Sequence, residues 1–435
     1  MGKGTSLIYS DRTDVGRRRA NNQDSKSVLP PSSPQQYRTR GWMFLVADGM
    51  GAHAAGEMAS GIAAERVPLV YEKSAQHSPP LALRRSLEQT NAEINAKGES
   101  AAEYRGMGTT CTVLVLVPRG ALVGHIGDSR AYRVRGRTIE QLSRDHSLAW
   151  ELEALQAAEG GHAGPAVPRN IITRSLGPHP HVDVDIEGPF SVAADDVFVV
   201  CSDGLSGQVA DEEIGVVAAN LPPRPAAETL VGLAIVRGAP DNTTVIVARA
   251  GDREATRSSS ADAPWLLTPP TDLDREPRDV PWLTLAGAAG CLFATLLCGP
   301  QVRTLAPPWV LLAVALAAGF VACLLRAILV LVAPRGGDER VLPVGARLGR
   351  GPYRSHDCKA SAAIVDGITA SVESAADGLP PEQRDRIRAQ IDQCRQQVVA
   401  GHYPRALAAA AAAIAVYRES VETARTEAAA RRPPG

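Results

Sequence analysis

Four aspartates stand where apolar, strand-like runs end: Asp48 after FLVA, Asp128 in HIGDSRAY, Asp203 after FVVCS and Asp241 ahead of NTTVIVAR. Three are joined to a small residue or a turn former, as Asp48-Gly49, Asp203-Gly204 and Asp241-Asn242. A single Asp-Gly pair is an ordinary turn. Four such carboxylates at strand ends converge on one rim of the sheets, where they repel one another unless divalent cations compensate them. All-oxygen ligation suits Mg(II) or Mn(II), whereas Zn(II) calls for His or Cys at ligand spacing. Two such ions about 3.5–4 Å apart, bridged by a carboxylate and a water, form the usual arrangement for phosphate hydrolysis. The bridging water loses a proton more easily and attacks phosphorus. A cation must then hold the phosphate oxygens, and GRRRANNQDS at 16–25 supplies candidates.

Such a rim needs strands to carry it. Strand-like runs occur at 42–47, 109–117, 121–127, 196–202 and 243–249, and helical periodicity at 55–72, 80–97, 147–158 and 225–237. Short turns such as PRG at 118–120 and VRGRT at 134–138 join neighbouring runs. That spacing predicts antiparallel hairpins rather than βαβ crossovers.

In chain order, RRRANNQD, VADGMGAHAAGE, GMGTTCTVLVL, GDSRAY, LSRDHS, ITRSLG, VVCSDGLS and DNTTVIVA resemble the type 2C, metal-dependent (PPM) family of protein serine/threonine phosphatases, in its bacterial branch. The resemblance covers roughly residues 5–250. It implies an α+β fold, a four-layer αββα sandwich of two antiparallel sheets with the metal site at one edge. It also implies roles. Asp48 bridges two Mg or Mn ions, the Gly49 carbonyl binds one of them, and Asp203 and Asp241 complete the other. Asp128, with Asp203, holds a third and weaker ion. Asp24 orients metal-bound water, with Gln23 and Asn242 beside it in the outer shell. Arg19 grips the substrate phosphate.

Three departures qualify the transfer. Gln23 stands where many members carry Glu, which predicts weaker metal affinity at most. Met50 stands where eukaryotic members carry a His proposed as general acid, so protonation of the leaving group is left unassigned. Ala52 replaces a common loop Gly, which matters only if the backbone there needs a positive φ. His146 in RDHS reads as a hydrogen-bonded structural histidine and Cys201 as a buried, inert thiol. His53 reads as a surface or hydrogen-bonding residue, and the resemblance implies that the Gly- and Pro-rich stretch inside 147–169 is the flap beside the site.

The bulk numbers exclude other classes. Lys plus Arg (46) nearly balances Asp plus Glu (47), so no global field points to nucleic acid. The seven cysteines form no CxxC pair, which fits a reducing compartment. The phosphatase region is expected at 1–252 and a Pro-, Ser- and charge-rich linker at 253–281. A transmembrane hairpin is expected over 282–333, with spans at 282–302 and 309–333, and a helical C-terminal region at 340–435. Arg275, Arg278, Arg335 and Arg340 flank the hairpin and one Arg lies in its loop, so both long ends are predicted to be cytoplasmic. In the C-terminal region helices are expected at 356–376, 381–399 and 403–430, and GHYPRALAAAAAAIAVY is similar to half a tetratricopeptide repeat. Without a second copy it reads as a plain helical hairpin, a candidate for binding protein. The predicted function is a membrane-anchored phosphatase acting on phosphoproteins, among them a partner serine/threonine kinase. The other reading is a membrane scaffold whose phosphatase-like domain turns over little.

Overall fold

A computed structural model describes residues 7–51, 55–158, 171–251, 264–267, 289–290, 292–293, 307–332, 341–349, 351 and 353–430. Two antiparallel sheets form its centre. The first runs β1 (Leu7–Asp14), β11 (Thr243–Ala250), β10 (Val197–Cys201), β7 (Arg130–Arg135), β8 (Thr138–Gln141), β14 (Ser355–Asp357). The second runs β2 (Asp24–Leu29), β3 (Trp42–Met50), β5 (Cys111–Val117), β6 (Gly120–Ile126), β9 (Asp185–Phe190), with the short β4 (Gly108–Thr109) paired to the end of β3.

Period-two alternation builds the layers, because successive strand residues face opposite sides of a sheet. Phe44 and Val46 of β3 meet Phe198 and Val200 of β10 and Ile246 and Ala248 of β11 in the core between the sheets. Their neighbours Met43, Leu45 and Ala47 turn outward onto helices α2 (Ala55–Lys73) and α3 (Pro79–Ser100). On the other side Val197, Val199 and Cys201 pack against α6 (Asp211–Asn220) and α7 (Pro223–Val236). The result is the expected αββα order. The short α1 (Pro34–Thr39), α4 (Leu148–Ala158) and α5 (Asp203–Ser206) lie between these elements in sequence.

The C-terminal residues add to this sandwich. Residues 1–267 and 341–435 form one compact unit, and 268–340 a second. The start of the expected helix at 356–376 is instead β14, which pairs with β8 at a sheet edge, and the helix begins at Ala362 behind the N-cap of Ser361. Three helices follow the strand: α9 (Ala362–Ala376), α10 (Pro381–Val399) and α11 (Tyr403–Ala430). Ile387, Ile391 and Cys394 of α10 pack on Ala406, Leu407, Ala410 and Ile414 of α11, so the expected helical hairpin is present. Gly401 takes φ +73° between the two helices, a left-handed conformation that glycine adopts without steric cost. Their apolar faces belong to the same core as Leu230 and Val231 of α7. Gly232 leaves room for this packing: a Cβ there would lie 2.3 Å from Ile414 Cγ2.

In the second unit, α8 (Pro307–Val332) covers most of the second expected span. Except for 289–290 and 292–293, the first expected span lies outside the described residues, as do residues 52–54 and 159–170. Among the described residues no helix is long and apolar enough to cross a membrane, so the two-span expectation is not met there.

Candidate metal and phosphate site

Asp48 and Asp24 face each other across the β2–β3 pair, in register. The end of β3 is held firmly: the Asp48 N–H donates to Thr110 Oγ1 at 2.9 Å, and its carbonyl accepts from Thr110 N at 2.8 Å and Thr109 Oγ1 at 2.9 Å. Asp203 enters from the other sheet, opening α5 directly after β10. Asp128 lies in the turn from β6 to β7, and Asp241 precedes β11.

Glycine makes the approach of these segments possible. A Cβ on Gly49 would lie 2.1 Å from the Gly56 carbonyl oxygen, and one on Gly56 would lie 2.7 Å from Gln23 Nε2. Gly49 and the start of α2 at Gly56 therefore pack backbone against backbone, which explains glycine at both positions.

The electrostatics are those of crowded acids. Asp48 is held well above the usual carboxylate range, first by burial and then by Asp24, Asp203 and Asp128. Burial pushes Asp24 up to about 7, against the opposing hydrogen bonds from Thr244 and Ser202. Burial, then Asp203 and Asp145, push Asp128 up to about 8. Asp203 is raised as well, mainly by burial, while its contact with the Asp48 carboxyl pulls the other way. Three carboxylate oxygens, Asp24 Oδ1, Asp128 Oδ1 and Asp203 Oδ1, are buried without a hydrogen-bond partner. An acceptor buried unpaired costs about 1–3 kcal/mol, more when charged, and a cation is the partner that such oxygens lack. Among the described residues no three His, Cys, Asp or Glu side chains close around one point. Mg(II) keeps several waters and binds through one or two carboxylates, so it does not need three such side chains around one point.

Arg19 stands at the rim, half-exposed, with Nη2 2.7 Å from Asp241 Oδ2. Asp241, Asp48 and Asp203 all stabilise its charge. Asn242 ties the Arg19 loop to the Asp241 turn. Its Nδ2 donates to the carbonyls of Val15 (2.8 Å) and Asn21 (3.0 Å), and its Oδ1 accepts from Gln23 N at 2.8 Å. Gln23 also supplies the carbonyl that receives the Gly49 N–H, at 3.1 Å. Asp24, Asp48, Asp128 and Asp203 therefore come together as charged neighbours, Arg19 and Asp241 pair at their edge, and Gln23 and Asn242 lie behind them.

Other residues take structural parts. His146 accepts from Gly127 N at 3.2 Å and meets Asp185 Oδ2 at 3.1 Å, as a bonded histidine beneath the Asp128 turn. Cys201 is fully buried, and that burial pushes its thiol up, so it is inert. Ser202, which sequence reasoning passed over, donates to Asp24 Oδ2 at 2.8 Å and receives Thr244 N at 3.0 Å. Its place next to Asp203 was the available signal. A cleft of about 500 Å³ opens beside Asp128 and Asp203, and Arg354 and His356 from the C-terminal segment wall it.

Two stacked antiparallel sheets with a rim of buried, unpartnered carboxylate oxygens and one arginine form an arrangement suited to metal-assisted hydrolysis. Residues 17–224 match the family described as Protein phosphatase 2C. Protein phosphatase PhpP of Streptococcus pneumoniae is 34% identical over 247 residues, which are 56% of this chain and 97% of that protein. The crystal structure of serine/threonine phosphatase Stp1 from Staphylococcus aureus is 28% identical and covers 58% of this chain and 98% of that one, with a TM-score of 0.50. The catalytic domain of serine threonine protein phosphatase PstP, solved in complex with 2 manganese ions, is 32% identical over 57% of this chain and 99% of that one, with a TM-score of 0.46. The chain belongs to the protein phosphatase 2C family.

Proposed function

We propose that this chain removes phosphate from phosphoserine and phosphothreonine in proteins, with two Mg or Mn ions and a third, weaker one. The three buried, unpartnered carboxylate oxygens carry this reading. Asp48 and the Gly49 carbonyl, with Asp203 and Asp241, would hold the pair, and Asp128 with Asp203 the third. Such ions supply charge neutralisation and an acidified water at neutral pH. The chain's own residues do the rest. Arg19, charged at every physiological pH, exchanges its partner Asp241 for the phosphate oxygens and offers them a planar fork of donors. Asp24, held in place by the Ser202 hydroxyl and opposite Asp48 in the β2–β3 pair, would orient water at the ions. Asn242 keeps the Arg19 loop and the Asp241 turn in one frame.

The substrates of this reading are phosphoproteins, including a serine/threonine kinase, reached from a membrane. The lengths of the apolar runs at 282–298 and 309–333, interrupted by Arg326 alone, support a two-span anchor with both long ends cytoplasmic. The deciding experiment is Mn-dependent release of phosphate from a phosphothreonine peptide by the full chain, wild type against Asp48→Asn. We expect a loss of at least about 100-fold, the scale for removing a group that stabilises developing charge, with Mn binding weakened by calorimetry. Equal turnover in the two proteins would overturn the assignment.

A further inference from the structure

The last helix of the chain reaches the loop that carries Arg19. Arg425, on α11, donates through Nη1 to both Asp14 carboxylate oxygens at 3.1 and 3.2 Å and through Nη2 to the Gly16 carbonyl at 2.6 Å. The Asp14 carboxylate also receives the Gly16 N–H at 2.8 Å, so one buried acid joins the helix and the loop. Two further bonds flank this contact: Arg17 Nη1 donates to the Tyr417 hydroxyl at 3.2 Å, and Arg12 Nη2 to Glu422 Oε1 at 2.9 Å. Gly16 adopts φ +76° against the Asp241 carbonyl oxygen, which a Cβ would meet at 2.2 Å, and Arg17 N donates to the Ala239 carbonyl at 2.8 Å. The loop is thus gripped on one side by the turn that presents Asp241 and on the other by α11. Arg19 follows Gly16 by three positions.

We propose that Arg425 is a positioning residue for phosphate recognition: α11 sets the placement of Arg19, so a segment some 400 residues away in sequence tunes the affinity for the phosphorylated substrate. This rests on Arg19 as the phosphate grip. Loss of Arg425 leaves the Asp14 carboxylate buried without its charge partner, and the loop gains freedom next to the Asp241 turn. The energy of the interaction is then missing from substrate binding more than from the chemical step, which separates KM from kcat.

The test uses the full chain with Arg425→Ala, Arg425→Lys and Tyr417→Phe, and Arg395→Ala as control, since Arg395 pairs with Glu373 elsewhere on the tail. KM and kcat are measured on a phosphothreonine peptide with Mn, and hydrogen–deuterium exchange is followed over residues 12–20. In Arg425→Ala, KM should rise about tenfold, the effect of one charge-assisted hydrogen bond, with kcat within about threefold. Exchange over 12–20 should speed up. Arg425→Lys should recover part of both effects, and Tyr417→Phe, which removes one hydroxyl, should show a smaller rise without unfolding. Unchanged KM and unchanged loop exchange in Arg425→Ala and Tyr417→Phe would overturn the proposal, as would an equal effect from Arg395→Ala. An inactive wild type would instead strike the phosphatase reading, and the exchange experiment would still report whether α11 holds the loop.

Discussion

At the scale of single residues, the crowded aspartates make a statement about protons. Asp24 at about 7 and Asp128 at about 8 keep protons that the unfolded chain releases near pH 4. Between those limits the native protein binds more protons than the unfolded one, so its metal-free stability falls as pH rises from about 5 to 8. Cations that take the place of those protons reverse the trend, and their affinity rises over the same window. The metal-free melting temperature should therefore drop from pH 5 to pH 8, and the increase produced by Mn should be largest at pH 8. Calorimetry in buffers of different ionisation enthalpy should show proton release on Mn binding. A metal-free melting temperature that rises steadily to pH 8 would contradict this account of the carboxylates. The strand-end positions of Asp48, Asp128, Asp203 and Asp241 were legible in the sequence, because apolar runs mark the strands beside them. Ser202, Thr110 and Arg425 were not, because a hydroxyl or an arginine acquires its part only from a partner far along the chain.

At the scale of elements, the apolar runs of β3, β5, β10 and β11 marked them as strands and the short turns predicted hairpins, while the two-sheet sandwich was implied by the resemblance. Edge elements carried less signal. β2 reads DSKSVL and is nowhere fully buried, and β14 is three residues long, so neither has the apolar alternation that marks a strand. The helices of the tail were visible by composition, while their docking on α7 was not. Alanine-rich faces look alike whether they meet each other, another protein or a sheet-covering helix. Gly232 against Ile414 is the contact that decides it. Ile414 is buried, and Ile414→Ala should destabilise the unit by about 2–5 kcal/mol, as for other large-to-small core changes. Gly232→Leu should be at least as harmful, since even a Cβ overlaps Ile414 and the two helices must separate. Urea titrations of both variants measure these costs, and native-like stability in both would mean that the tail does not pack on α7.

At the scale of the whole molecule, the sequence suggested a phosphatase at one end and a helical appendage at the other, separated by apolar runs. The structure makes residues 1–267 and 341–435 a single compact unit instead. The point of departure and return is a small antiparallel pair, β12 (Trp265–Leu266) with β13 (Val341–Leu342), in which Leu266 sits opposite Val341. Two deletions separate this arrangement from a modular one. Replacing 268–340 by a turn of about four residues, the usual hairpin length, should preserve the fold and the Mn-dependent activity. A chain cut after residue 255 loses β14, the helices on α7 and the Arg425 contact with Asp14. It should melt lower, expose the apolar face of α7 and aggregate. Equal melting temperatures for the two shortened proteins would show that the tail is an independent appendage. A lower one for the cut chain alone would show that this enzyme needs its C-terminal helices as part of its core.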